Sequence, residues 1–580
     1  MLEYRLIPAF QHLAFPIPCL LSTRPKVYTM PDAPSLPLMP DGSLPPAMLL
    51  LRWLERHGGG KLHSASLPHG NHVLPDLLRL GGVSELLLDD APMGRLRWEG
   101  AGGGRLVVGA SGAASEDDDL PLHCGGLPAR AGFAGWDAGP LQSLYELARL
   151  EDASAAVGAG EGAAWDGLLA AGRWVDAAGG PPVAALTGRG GEGLGAWNPL
   201  ALARPCLVAL EPNGARAPWS LVDDAGARHP VQLSEGPLGP TWLVQLPLGP
   251  LGGTSLRPSD EPAAGSHWEV SEKVLDNGRV RAELDALGQI GRLCWDGVFA
   301  DLAGPACAPS VDGLPLGGEA VITVLEDGPV RARIAVRRET AEGRLDLVYS
   351  LHAHEDHLRV RATWSGNSSC WIDHATAQRS AELHLAIEGA RWAEAQSASV
   401  LRPPMDPTPG IRWASLADSA GRGIAAVAGR PVCVHAHAGH LRILVSPGSA
   451  WSLAAPRRTA GALSLGQLAE HLAVPGRSLP SGVSVPRPFR LADLGALVPL
   501  WVRRPAGWAG ELLLAEQSGA RTRAWLLPAE PPPQGAECWK VDARGERLAP
   551  CPPSPEGDGW QLDAAPGEIL LVRWRLAPAP

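Results

Sequence analysis

The sequence predicts a multi-domain fold in which a small α/β N-terminal portion is followed by large, mainly antiparallel β-sandwich domains. Three observations carry the prediction. At 580 residues the chain has material for about four domains of ordinary size. Its 70 Gly and 57 Pro break helices and favour short elements joined by turns. The apolar pattern also changes near residue 195, from helical spacing to short alternating runs.

Taken in order, "AMLLLRWLERHG" (47–58) carries an apolar stripe ending at a triple glycine, and predicts a helix. "PLQSLYELARLEDASAAVGAG" (140–160) predicts a second, while "SELLLDD" (84–90) is short enough for a strand between them. Further on, "RVRAELDALGQIGRL" (279–293), "PVRARIAVRRE" (329–339), "RGIAAVAG" (422–429) and "HLRILVS" (440–446) alternate or are rich in Val, Ile and Leu. Two sheets packed face to face bury such strands, hence the sandwiches. Proline-rich stretches at 258–266, 475–488 and 528–535 read as a linker, a second linker and a loop.

The charge balance excludes some partners. The net charge is −11, with Arg interleaved among Asp and Glu, so no nucleic-acid surface is predicted. No stretch is long enough to span a bilayer, and the opening segment lacks the basic cluster of a signal peptide, so no membrane partner and a cytoplasmic location are expected. Nine cysteines scattered singly, without a Cys-x-x-Cys pair, read as buried thiols. The 21 Trp stand against 5 Phe and 4 Tyr, and read mainly as the core aromatic rather than as a sugar platform.

One stretch invites a metal reading. "SLHAHEDHLRVRATW" (350–364) contains His-x-His-x-Asp-His, a metallohydrolase signature, and makes His352, His354, Asp356 and His357 the metal candidates of the chain. Strand phase argues otherwise. Leu345, Leu347, Tyr349, Leu351 and Ala353 share one face, with Asp346, Ser350, His352 and His354 opposite. Past Asp356 the phase switches: Leu358, Val360, Ala362 and Trp364 are apolar, and His357, Arg359, Arg361 and Thr363 polar. That is a hairpin with its histidines on the outer, solvated side. His352 and His354, about 6.5–7 Å apart at Cα by strand geometry, could still share a zinc ion with His357 across the turn. "VCVHAHAGHLRILV" (432–445) repeats the pattern with His435, His437 and His440, without the aspartate.

Several segments together resemble the region that follows the catalytic domain in glycoside hydrolase family 38, the zinc-dependent α-mannosidases. "GAWNPLALARPCLVAL" (195–210) is similar to the asparagine-proline-leucine strand that opens that β region, and "LDNGRVRAELDALGQIGRLCWDG" (275–297) to the entry of its large sandwich. "VLEDGPVRARIAVRRE" (324–339), "RLDLVYSLHAHEDHLRVRATW" (344–364), "IRWASLADSAGRGIAAVAG" (411–429) and "HAGHLRILVSPGSAW" (437–451) follow in the family's order. Upstream, residues 36–90 resemble an eroded copy of the catalytic-domain segment around a Leu-Pro-Asp run, and "GRLRWEGAGGGRLVVG" (94–109) the strand pair after it.

The resemblance implies a galactose mutarotase-like supersandwich and five parts: a truncated α/β catalytic-domain remnant (1–139), a short helical segment (140–190), a small β domain (191–262), a large β-sandwich (263–482) and a C-terminal β domain (483–580). The family's chemistry uses a His-x-His-x-Asp motif, the aspartate of the Pro-Asp run as nucleophile and zinc ligand, and a later helical histidine. Here "SLPHGNHVLP" (66–75) has no aspartate, no His-x-His-x-Asp precedes residue 350, and residues 150–195 hold no histidine. The expectation is an α-mannosidase-related pseudoenzyme of carbohydrate metabolism, with no cofactor supported by its own residues, mannose-containing glycans as partners, and catalytic and sugar-binding residues unassigned. Glu55, Asp89 and Asp90 remain as acidic groups, read as solvated. Two alternatives stay open: an active α-mannosidase drawing its catalytic groups from an upstream polypeptide or a divergent arrangement, and a metal-dependent hydrolase built on the histidine stretch.

Overall fold

In the computed structural model of the chain, the described residues are 60–64, 78–88, 95–99, 105–110, 121–122 and most of 194–576; within the last span, 211–216, 394–407, 481–488, 504–509 and several shorter stretches are not described. The two predicted N-terminal helices, Glu55, Asp89 and Asp90 lie outside the described residues.

The α/β expectation is met by a mixed five-stranded sheet. Gly60–Ser64 runs parallel to Val83–Leu88, which runs parallel to Arg105–Ala110. Parallel neighbours require a crossover, and the helical turn at 78–80 lies on it; its Leu78 and Leu80 are buried, as are Leu62 and Leu86 on the strands. Arg95–Glu99 pairs antiparallel with Arg105–Ala110, as the 94–109 pattern predicts.

After residue 194 the described chain is almost entirely strand. A five-stranded sheet contains Leu194–Trp197, Gly253–Ser259, Ser220–Val222 and Arg228–Pro230, and a three-stranded sheet contains Arg204–Leu210, Gly239–Leu248 and Gln232–Gly236. They enclose Ala196, Val208, Leu221, Val244 and Leu246. The fifth strand of the first sheet is Arg477–Pro480, paired with Leu194–Trp197. This corrects the linker expectation for residues 477–480; the rest of that stretch, 481–488, lies outside the described residues. Backbone groups at the start of that stretch satisfy a sheet edge, which the prolines bounding it do not prevent.

The large sandwich runs from Glu269–Val270 to Ala450–Ala454. Its alternation is visible in Arg331–Glu339, where Ala332, Ile334 and Val336 are buried and the intervening residues more exposed. The turn in "LDALGQI" depends on glycine: Gly288 has φ +71, and an added Cβ would stand 2.3 Å from Val336 Cγ1. Gly288→Ala is expected to lower stability by at least about 2 kcal/mol, since left-handed strain adds to overpacking, read as a lower denaturant midpoint.

The C-terminal sandwich packs a three-stranded sheet (Phe489–Ala492, Thr522–Pro528, Trp560–Ala564) on a five-stranded one (Leu497–Arg503, Gly510–Glu516, Ile569–Leu576, Ala536–Val541, Arg547–Pro550). Trp197 enters this core while its neighbour Ala196 enters the preceding one, so a single strand serves two cores. Trp242, Trp295, Trp413, Trp451, Trp560 and Trp574 are also buried, in line with the core reading, whereas Trp219 is exposed.

The helix Leu465–Ala473 is capped by Ser464, whose hydroxyl accepts from Gln467 N–H while the Gln467 side chain returns to the cap. Leu465, Leu468 and Ala469 pack on Trp413, Ala425 and Val427. Arg204 Nη1 donates to His471 O at 3.0 Å, a carbonyl that the helix end leaves unpaired, and Arg412 Nη2 donates to Ala469 O at 2.7 Å one turn earlier, so two guanidinium groups tie down the end of the helix. Among the described residues no helix is long and apolar enough to cross a membrane.

Candidate functional site

The histidine stretch folds as the hairpin that its phase predicts: Gly343–His352 and Leu358–Gly366 pair antiparallel, with Ser350 opposite Arg359. Leu345, Leu347, Tyr349, Leu351, Leu358 and Val360 all face the core. Asn277, of the "LDNG" segment, holds the turn. Its Nδ2 donates to His352 O at 2.7 Å and Glu355 O at 2.9 Å, while its Oδ1 accepts from the N–H groups of Arg279 and Val280.

The expectation of a solvated outer side holds for His354, which is exposed, and is corrected by the packing for His352 and His357. His352 and His357 are 4% and 2% exposed, because neighbouring elements cover this end of the sheet. Gln245, on Gly239–Leu248, accepts from His354 N–H at 2.8 Å, and His471 arrives from the helix. Phase fixes which face a side chain takes; it does not say whether water or another element lies beyond.

Glu355 is the centre of this buried group, with 1% exposure. Arg359 grips both of its oxygens, through Nε to Oε2 at 2.8 Å and Nη2 to Oε1 at 2.6 Å. His471 Nε2 lies 3.1 Å from Oε1 and, with its hydrogen on that nitrogen, donates to it. His352 Nδ1 at 3.0 Å and His357 Nε2 at 3.1 Å complete the shell, both off the hydrogen-bond line. Beyond His471 stands Arg204, with Nη1 3.4 Å from the other ring nitrogen, a distance suited to an unprotonated Nδ1. Arg204 Nε in turn donates to Asn198 Oδ1 at 2.8 Å. Asn198, from the asparagine-proline-leucine segment, also donates to Leu202 O and Gly249 O.

Burial alone would raise the Glu355 carboxyl, but Arg359 and the surrounding imidazoles outweigh it and hold it well below the usual range. Burial pushes His352 down to about 4 and His471 down to about 3, so both are neutral at pH 7. The group is therefore one carboxylate neutralised by one guanidinium, flanked by the neutral imidazoles of His352 and His471 and backed by a second buried guanidinium. Chemically, it can join the hairpin, the helix and the Arg204 strand through a polar network whose breakage would leave charge buried.

The four metal candidates are split. His352 and His357 reach Glu355. Asp356 lies outside that shell, with Oδ1 3.4 Å from His357 Nδ1 and Oδ2 3.9 Å from Arg279 Nη2, and His354, exposed, engages Gln245 through its backbone. Glu355 and His471 were not singled out from the sequence: Glu355 lies on the turn between the candidates, and His471 is 116 residues away. At the second hairpin, His440 Nδ1 meets Asp373 at 2.8 Å and His435 packs edge-on to Trp371. Among the described residues, Glu355, His357 and His471 form the group whose donor atoms lie close enough, within 4.8 Å, to hold a metal ion.

No protein-family model matches the chain, and no curated protein matches it in sequence. Solved structures do match. A protein in the glycosyl hydrolase family 38 from Enterococcus faecalis is similar over 93% of this chain and 90% of its own, with TM-score 0.62 and 11% identity. An alpha-mannosidase from Enterococcus faecalis is similar over 94% and 90%, with TM-score 0.64 and 10% identity. The chain thus has a glycoside hydrolase family 38-like fold: a small α/β sheet followed by β-sandwiches.

Proposed function

We propose that this chain is an α-mannosidase-related carbohydrate-active protein that recognises mannose-containing glycans, with hydrolysis by the family's zinc route impaired. The likeness of fold across nearly the whole chain supports the carbohydrate reading. The impairment rests on the sequence, where "SLPHGNHVLP" lacks an aspartate and no His-x-His-x-Asp precedes residue 350. A retaining glycosidase needs a nucleophilic carboxylate and an acid/base carboxyl across the scissile bond, and a catalytic zinc needs an open coordination position. The donor group at Glu355 does not fit that zinc. Arg359 already occupies both carboxylate oxygens, and burial leaves no face for a sugar.

The test pairs binding with turnover. Calorimetry with mannose-containing glycans is expected to show binding, while an aryl α-mannoside with added zinc is expected to release no nitrophenol that a chelator can suppress. Absence of binding to any such glycan would remove the carbohydrate reading; chelator-sensitive release would restore the active enzyme.

A second reading, a divalent-cation hydrolase centre, is favoured by the convergence of Glu355, His357 and His471. A cation there would have to displace the Arg359 guanidinium and work against Arg204 behind His471. Metal analysis in the same experiment separates the readings: about one bound ion, lost in both His357→Ala and His471→Ala, is the result that would favour the metal centre.

A further inference from the structure

Cys538 and Cys551 face each other in the C-terminal sandwich. Cys538 lies on Ala536–Val541, and Cys551 immediately follows Arg547–Pro550. Trp539 pairs with Pro550, which puts Cys538 opposite Cys551, and Cys551 N–H donates to Cys538 O at 2.9 Å. Directly opposed residues of an antiparallel pair have Cα atoms about 4.5–5.5 Å apart. That lies inside the separation of about 4.4–6.8 Å that a disulfide spans. Both side chains turn into the same core, and the thiols hydrogen-bond each other.

We propose that Cys538 and Cys551 form a reversible cross-strand disulfide, in exchange with a small-molecule disulfide such as glutathione disulfide. Cys551 is the attacking group. The hydrogen bond from Cys538, helped by the Lys540 cation, outweighs burial and holds its thiol below the usual range, whereas burial pushes Cys538 up. Access comes from the edge: Arg547–Pro550 pairs on one side only and is largely exposed, so local opening of this strand uncovers Cys551 without unfolding the sandwich.

The exchange balances in two steps. The Cys551 thiolate attacks one sulfur of glutathione disulfide, forming a mixed disulfide and releasing one glutathione, which takes up a proton. Cys538, giving up its proton, then attacks the Cys551 sulfur and releases the second glutathione. Two electrons pass from the cysteine pair to the glutathione disulfide, which leaves as two thiols. The product staples an edge hairpin whose opening would otherwise fray the sheet.

The full chain is equilibrated in glutathione mixtures of graded oxidising strength, quenched with acid, alkylated, and mapped by mass spectrometry without reduction. The expected result is a peptide pair joined through Cys538 and Cys551 that appears and disappears with the mixture, two fewer alkylatable thiols among the nine, and a higher unfolding midpoint for the oxidised form. Cys551→Ser, checked for folding by circular dichroism, is expected to lose both the linked peptide and the midpoint shift. The mapping of the unsubstituted chain decides the matter even if that variant does not fold. Both thiols remaining alkylatable in the most oxidising mixture, glutathione adducts without the linked peptide, or Cys538 joined to another cysteine would each overturn the proposal.

Discussion

Glu355→Ala is expected to destabilise the protein by about 3–5 kcal/mol, the usual cost of breaking a buried ion pair by removing one partner. The loss exceeds that of one contact because Glu355 is the shared acceptor of the group. Without it Arg359 keeps its charge at the junction with no counterion, Arg204 loses the nearest negative charge behind His471, and three buried imidazoles face an empty centre. The double variant Glu355→Met with Arg359→Met is expected to recover most of the loss, since a well-packed apolar pair removes the buried charges together. The measurement is the urea midpoint followed by tryptophan fluorescence, with the slope unchanged. A single variant costing under about 1 kcal/mol, or a double variant no better than the single, would show that the group is solvated in solution and that the junction is not held through it.

Stability is expected to fall steeply as pH drops from about 6.5 towards 4. Burial holds His352 and His374 down to about 4 and His471 down to about 3. In the unfolded chain each returns to its ordinary value of about 6.5. Between these limits the unfolded state binds the more protons, so each neutral imidazole withdraws up to about 1.4 kcal/mol per pH unit, and three together up to about 4. Above the unfolded value the contribution is complete. Glu355 acts with the same sign lower down: its folded value is depressed, so its contribution is full above the ordinary carboxylate range and is lost as pH falls through the folded value. His374 is the cleanest probe, since its ring accepts from Cys307 N–H at 3.2 Å and packs edge-on to Trp451, away from Glu355. Replacing it by glutamine should reduce the slope by about one third, read from urea midpoints between pH 7.5 and 4.5. A midpoint flat across that range would mean that these rings reach water in the folded protein.

Much of this fold is legible along the chain. The alternation in 344–364 predicts the hairpin and its core face, since side-chain direction in a strand is a local property with a period of two. The 84–90 and 94–109 segments become strands of the first sheet for the same reason. The ordered succession of segments after residue 195 points to the family 38-like sandwiches despite sequence identity of only 10–11% to the matching structures. Strand patterns survive exchange of one apolar residue for another, whereas residue identity does not.

The candidate site was legible only in part. The histidines of 352–357 are conspicuous, yet their partner Glu355 reads as an ordinary turn residue, and His471 and Arg204 lie on a helix and a strand far away in the chain. The order of residues by itself determined the strands, their apolar faces and the turns between them, because these follow from backbone geometry and nearest neighbours. Only the tertiary structure decided that the outer face of one hairpin would be roofed by a helix and another sheet. Burial and electrostatic partnership depend on what occupies the space beyond a side chain, and that space is filled by residues about a hundred or more positions away.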